Sequence, residues 1–398
     1  MFTNKEKINE AVFSLDFWAA AILVYWCNIY FFLHNTHFIV QVFNIAAYVA
    51  TVCVIICGYN KIDFRLLMLI LTALLVSLIS LLLPAGSQYL SEYLLPFLLA
   101  GIIGICMTGI IKEPKYILFW WFAFTLVLSL LSIKSFLGAS EAFEYYMATA
   151  YIIFYFFAFI AILAVDKVKW YHFVTLAFCA FAIIMIGTRG AIIAVLLTMI
   201  TVILFYNAIS IKKLCIAICF LAVIFSVTYY LIFTDEGLTL LKSFIDHIGI
   251  QSRMVWLLEE SRLTLSKERI DIYGALWNGF LQSPILGYGL GGDMYIITKA
   301  LGEYYYSHNF ILEAIIDFGI VGIILIISLF ALFAKSAMSC QDPNWKKIGY
   351  LFFICCFFPK IFSFTFLHPM TLPTIAVLLK INKLNTKDAD QIKRKVRY

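Results

Sequence analysis

Charge is what this 398-residue sequence has least of. Asp, Glu, Lys and Arg together make up 13% of it, against about a quarter in ordinary soluble domains, while 64% is apolar. That balance, with apolar runs recurring from end to end, excludes an ordinary water-soluble globular domain. Catalytic signatures are equally scarce. No HExxH, C-x-x-C, Walker loop or Ser-His-Asp spacing occurs, so zinc chemistry, ATP hydrolysis and proteolysis have no support, and no metal or cofactor is expected. The segment from 234 to 304 holds no cysteine, so no disulfide staples it. All ten cysteines lie in apolar runs or near Cys340, and the pairs Cys53/Cys57 and Cys215/Cys219 read as apolar packing rather than metal ligands. Internal repeats and low-complexity tracts are absent too.

What is there is a succession of apolar segments, each about the 20 residues that a helix needs to cross hydrocarbon. Cutting them at charges, Gly, Pro and polar clusters predicts twelve spans, near 12–33, 38–58, 66–84, 91–111, 116–137, 146–165, 170–187, 190–207, 214–233, 309–334, 347–364 and 366–381. The expected fold class is therefore an all-α integral membrane protein of about 12 transmembrane helices. Its expected parts are spans one to nine (1–233), a large loop (234–304), spans ten to twelve (305–381) and a basic tail (382–398). Cytoplasmic loops accumulate Lys and Arg. With both termini inside, the cytoplasmic segments hold 20 of the 29 basic residues and the large loop falls outside. The first span has its small residues, Ala19 to Ala21, within the apolar run, which predicts an uncleaved anchor. The net charge of +6 follows from this bias and the basic tail, which suits solvent or a weak contact with anionic lipid rather than nucleic acid.

Three stretches break the rules of the bilayer. In MIGTRGAII (185–193) Arg189 interrupts a run too long for one span, and Gly187 and Gly190 bracket a turn there. A lone arginine at that boundary is either a snorkelling turn residue or an anion-binding group facing a cavity. In SKERIDIYGALWNGFLQSPILGYGLGG (266–292), Ile270, Tyr273, Leu276, Trp277, Phe280 and Leu281 recur at helical spacing, Ser266 is a credible N-cap and Pro284 ends the element. This predicts an amphipathic helix on the membrane face. Arg269 falls in its first turn, where the helix dipole disfavours a cation unless a bound phosphate reverses the sign; pairing with Glu268 or Asp271 is the plainer alternative. Gly287, Gly289 and Gly292 satisfy G-x-G-x-x-G, but without a strand before and a helix of a βαβ unit after it the dinucleotide meaning is rejected. The glycines instead predict a turn whose backbone approaches a ligand or a neighbouring helix.

The third stretch is SHNFILEAIIDFGIVG (307–322). A helix begun near Ser307 would put Asn309, Glu313 and Asp317 on one face with His308 at the rim, and lipid cannot solvate such a stripe. Gly319 and Gly322 allow close helix approach. His308 suits proton abstraction from an attacking hydroxyl, or else is a satisfied structural histidine. Asn309 would orient it or a sugar, and Glu313 and Asp317 would act from further back. The remaining histidines, His34, His37, His172, His247 and His368, read as interfacial residues.

The order GTRGA at a span break, then ER and a helix ending SPILGYGLGG, then SHN followed by GIVG, resembles the O-antigen polymerase and ligase superfamily of bacterial cell envelopes. The motifs occupy roughly 185–325, and the twelve spans with one long loop resemble the family over the whole chain. The resemblance implies a GT-C-like, metal-independent, inverting glycosyltransferase in the bacterial inner membrane. Its donor would be a glycan on undecaprenyl diphosphate at the periplasmic face, and its surroundings membrane lipids, with a chain-length regulator and a flippase as further partners. It implies catalytic roles for His308 as base and for Arg189 and Arg269 as ligands of the diphosphate, with Asn309, Tyr273, Gly289 and Glu313 lining the substrate. Arg253 or Arg262 could replace Arg269, because the loop carries six basic against nine acidic residues and is no general anion funnel. Ile323 stands after Gly322 where the ligase motif usually has a smaller or hydroxylated residue, which tilts the expectation toward a polymerase of O-antigen or capsule. The ligase that moves glycan to lipid A core is the close alternative. A transporter is a distant one, since no pair of broken helices recurs in two halves.

Overall fold

The computed structural model describes residues 14–29, 38–83, 91–138, 146–166, 169–206, 236, 239–240, 243, 267–302, 307–363, 365 and 367–396. The expected span at 214–233, the N-cap Ser266 and residues Arg253, Arg262, His34, His37 and His247 lie outside them.

Among the described residues the regular structure is helical throughout. Four helices are long and apolar enough to cross a membrane, Phe64–Leu81, Pro114–Ser132, Met147–Asp166 and Ile320–Met338, and shorter apolar helices include Leu15–Cys27, Ile45–Lys61, Phe97–Ile110, Trp170–Ile186 and Gly190–Thr201. This is an all-α membrane protein, with four rather than twelve helices meeting the length and composition needed to span among the described residues. The chain divides into two compact units, one of Met1–Phe124 with Asp271–Tyr398 and one of Thr125–Ile270.

In the first unit, α1 (Leu15–Val24), α2 (Phe38–Gly58), α3 (Phe64–Leu81), α4 (Ser91–Ile110) and the start of α5 (Pro114–Gly138) precede the large loop. Helix α1 is buried from Ala19 to Val24, and the Trp26 indole beyond it donates to Thr51 of α2 at 3.1 Å. Its opposite end is tied by Asp16, whose carboxylate accepts the N–H groups of Lys112 and Glu113. Helix α3 shows lipid-compatible apolar faces along most of its length, including Leu71, Leu75, Leu78 and Ile79. In the second unit, α6 (Tyr146–Asp166) is buried between α7 (Trp170–Ile186) and α8 (Arg189–Thr201).

After the loop come α9 (Lys267–Gln282), α10 (Gly292–Leu301), α11 (Phe310–Phe318), α12 (Ile320–Phe333), α13 (Pro343–Phe362) and α14 (Thr371–Val396). Two differences from the sequence reading appear here. The expected span 309–334 is two helices, broken at Gly319, whose φ of 60° and ψ of −138° suit glycine alone. The expected span 366–381 begins only at Thr371, and its helix continues to Val396 through most of the region read as a tail. Nothing after Pro373 in that helix breaks a helical backbone. Lys380 donates to the carbonyls of Thr108 and Ile111 at the end of α4, and Lys383 pairs with Asp63 at 2.7 Å, so this helix is anchored beyond the apolar stretch.

Candidate functional site

The break at Gly319 explains the glycine-rich stretch. Ending α11 there removes the helical partners of its last carbonyls, and unsatisfied backbone groups in an apolar setting are costly. The SPILGYGLGG turn supplies the missing donors: Tyr288 N–H reaches Ile316 O at 3.0 Å and Gly289 N–H reaches Asp317 O at 2.8 Å. In return Ile320 N–H donates to Pro284 O at 2.8 Å. Glycine is required at this contact because a Cβ on Gly287 would lie 2.4 Å from Ile316 O, and one on Gly319 2.5 Å from the Ile285 backbone. The turn is thus docked on a neighbouring helix, one of the two partners expected for it. The Gly289 amide is committed to that helix, and its position faces Ser80 of α3 and Leu83 just beyond it.

Helix α9 forms as expected but has two apolar faces. Ile272 and Leu276, with Tyr273 partly buried beside them, pack on Ile296, Ile297 and Ile316. Ile270, Trp277 and Leu281 face outward, continuous in sequence with exposed Ile285 and Leu286. The residues at helical spacing thus divide between two faces: 272, 276 and 279 meet the following helices while 270, 277 and 281 stand on the other side. Arg269 is in the first turn of this helix and half-buried.

The docked turn leads into α10, whose first-turn N–H groups are capped from another helix. Asp317 Oδ2 accepts the N–H of Gly291 and Oδ1 the N–H of Asp293, both at 3.3 Å. This favourable placement of a carboxylate at a helix N-terminus gives Asp317 a structural duty. Asp293 is fully buried, and its Oδ2 accepts the N–H of Ser307 at 2.8 Å while Oδ1 has no hydrogen-bond partner. Burial pushes the Asp293 carboxyl above its ordinary range, opposed most by the Ser307 hydrogen bond.

His308 follows Ser307 at φ 54°, the one non-glycine with positive φ among the described residues. A left-handed backbone costs a side-chain-bearing residue about 1–2 kcal/mol and persists only where neighbours impose it. The neighbours here are Ser307, held by Asp293 and donating its hydroxyl to Asn309 O at 3.1 Å, and Asn309, whose Oδ1 caps α11 by accepting from Ile311 and Leu312 at 3.0 and 3.2 Å. The helix therefore begins at Phe310 rather than near Ser307, and Asn309 Oδ1 is spent on the cap. One turn further, Glu313 is fully buried and accepts the Thr365 hydroxyl.

Beneath this turn lies a second polar group that the sequence reading passed over. Lys360 is fully buried in α13, and its ammonium donates to Cys356 Sγ at 3.1 Å and to the Thr371 hydroxyl, and sits 5.5 Å above the Phe357 ring. That ring packs 5.6 Å from Phe310, the first residue of α11. His368 is buried too, with Nδ1 accepting Met370 N–H at 3.2 Å, so it is an interior group rather than an interfacial one. The available signal was a lysine inside an apolar run. Asp293, by contrast, carried no sequence signal beyond its charge.

Arg189 is the first residue of α8, two residues after the left-handed Gly187 that ends α7, so the expected chain reversal is present. Thr188, its N-cap, is buried with an unpartnered hydroxyl. Arg189 and Arg269 belong to the second unit, whereas His308, Asn309, Tyr273, Gly289 and Glu313 belong to the first. Among the described residues no three His, Cys, Asp or Glu side chains gather as metal ligands.

A helical membrane protein with a strained histidine turn, held by one buried carboxylate and set beside a glycine-rich loop docked on a broken helix, is the class these features define. Comparison with known proteins shows what part of it is similar to. Residues 174–327 match the O-antigen ligase family, a stretch that contains all seven predicted site residues. A Rickettsia conorii (strain ATCC VR-613 / Malish 7) protein, whose name proposes a polysaccharide ligase, is 31% identical over 97 residues, covering 22% of this chain and 24% of that protein. The chain thus aligns with about a quarter of that relative's length. Both matches support the O-antigen ligase and polymerase superfamily that the motif order indicates.

Proposed function

We propose that the protein is a metal-independent, inverting glycosyltransferase of the GT-C type that takes a glycan from undecaprenyl diphosphate and joins it to an acceptor hydroxyl. It works at the periplasmic face of the bacterial inner membrane, with both termini cytoplasmic. The observation that carries this reading is the His308 turn: a titratable group held in a strained conformation, within the segment that matches the family. His308 takes the proton from the acceptor hydroxyl as that oxygen attacks the anomeric carbon. Arg189 and Arg269 neutralise the departing diphosphate, for which a guanidinium fork is well shaped. Tyr273 lines the substrate side, and Asn309, Gly289 and Glu313, engaged in the helix cap, the docked turn and the Thr365 hydrogen bond, shape it from behind.

The family description and the name of the relative favour a ligase that moves finished glycan to lipid A core. Ile323 favours the polymerase that joins repeat units into O-antigen or capsule and would work beside a flippase and a chain-length regulator. Deleting the gene and resolving lipopolysaccharide on a gel separates them. Bare core with lipid-linked polymer accumulating identifies the ligase; core capped by a single repeat identifies the polymerase. An unchanged ladder contradicts both.

A further inference from the structure

A fully buried carboxylate with one oxygen left without a partner is an expensive thing to keep in a fold, and an apolar residue would pack there at lower cost. Asp293 is such a group. Its other oxygen holds the backbone N–H of Ser307, fourteen residues further on and adjacent to the left-handed His308. On the far side of His308, the Ser307 hydroxyl closes onto the Asn309 carbonyl and Asn309 closes onto α11. The histidine is therefore clamped between two fixed residues. Asp293 is itself fixed, since its N–H is taken by Asp317, whose own carbonyl is gripped by Gly289.

We infer that Asp293 is a positioning residue for His308: by accepting the Ser307 N–H it imposes the left-handed turn that sets where the imidazole points. This rests on the reading of His308 as the base. The geometry requires an acceptor oxygen at that place, which asparagine also provides.

The test uses the purified full chain and, as donor, the lipid-linked glycan that accumulates in a strain deleted for this gene. Asp293→Ala is expected to lower kcat at least about tenfold with KM within about twofold, because displacement of a catalytic group affects the chemical step rather than binding. Asp293→Asn is expected to restore kcat to within about threefold of wild type. A second readout does not depend on turnover: the rate of His308 modification by diethyl pyrocarbonate, followed by mass spectrometry, changes severalfold in Asp293→Ala and stays at the wild-type value in Asp293→Asn. The inference is overturned if Asp293→Ala keeps kcat and labelling rate, or if Asp293→Asn loses both while reaching the membrane normally. Should Asp293→Ala fail to accumulate, Asp293→Asn decides alone, near-native activity and labelling supporting the inference and loss of both refuting it. His308→Ala is run alongside: full activity there removes the base reading, while the labelling comparison still reports whether Asp293 holds the turn.

Discussion

The backbone N–H of Gly289 donates to the carbonyl of Asp317 at 2.8 Å, across the point where the helix carrying Glu313 and Asp317 is broken. This bond and its neighbour from Tyr288 make the glycine-rich turn and the helix that follows His308 one unit. It accounts for a G-x-G-x-x-G pattern that has nothing to do with nucleotides.

That construction tolerates no Cβ at its contacts. A Cβ on Gly322 would lie 1.9 Å from the Ala314 carbonyl oxygen, so Gly322→Ala must push the start of α12 off α11. The expected cost is about 1–3 kcal/mol or more, as for other overpacked interiors. It is measured as a fall in the thermal unfolding midpoint in detergent. Gly274→Ala, with open space around it, serves as the control and leaves the midpoint unchanged or slightly raised.

Asn309 separates stability from chemistry. Loss of its cap in Asn309→Ala is expected to cost about 1 kcal/mol, whereas Asn309→Asp keeps the acceptor for Ile311 and Leu312 and holds stability within about 0.5 kcal/mol. Transfer activity that follows stability across the pair marks Asn309 as a cap alone. Activity lost in Asn309→Asp at unchanged stability shows that its amide nitrogen meets substrate.

Lys360 offers the opposite test. Its ammonium is buried against a hydroxyl, a thiol and a ring face. Replacing a buried charge by an apolar group of similar length is often neutral or stabilising, by up to about 1–4 kcal/mol. Lys360→Met is therefore expected to leave the unfolding midpoint unchanged or to raise it. A drop of several degrees would mean that the ammonium is a net stabiliser of the packing between α13 and α14.

The Asp63–Lys383 pair sets a pH dependence. Burial alone would raise the Asp63 carboxyl, but the Lys383 hydrogen bond, the Leu66 N–H and the Lys383 charge together hold it below its ordinary value. A depressed folded-state value means that the stabilisation is present above the ordinary carboxylate range and is lost as pH falls through the folded value. Both side chains are partly exposed, so the contribution is at most about 1 kcal/mol. Asp63→Asn should lower the unfolding midpoint slightly at neutral pH, and the difference from wild type should shrink in acid.

How much of this was legible in the sequence follows from what each signal reports. Apolar runs reveal a membrane protein because hydropathy is a property of composition, and the α9 helix, the chain reversal at Gly187 and the motif-bearing stretch near 185–325 were all visible as pattern. The break at Gly319 was not, since two adjoining apolar helices and one long one have the same hydropathy. Only the docking of SPILGYGLGG onto the broken ends explains why the break is tolerated. Asp293 escaped notice for a related reason: one acidic residue among nine in the loop carries no mark that its carboxylate turns inward to hold Ser307. Lys360 could have been found, because a lysine in an apolar run is costly wherever it sits.

The central claim is that this chain transfers a diphosphate-linked glycan with His308 as base. The most direct measurement is turnover by purified protein in lipid nanodiscs supplied with undecaprenyl-diphosphate glycan and acceptor, in the presence of EDTA, scored by release of undecaprenyl diphosphate together with glycan transfer. The account predicts transfer by wild type and a loss of at least about a hundredfold in His308→Ala, in line with removal of a general base. Transfer by His308→Ala at the wild-type rate would contradict it.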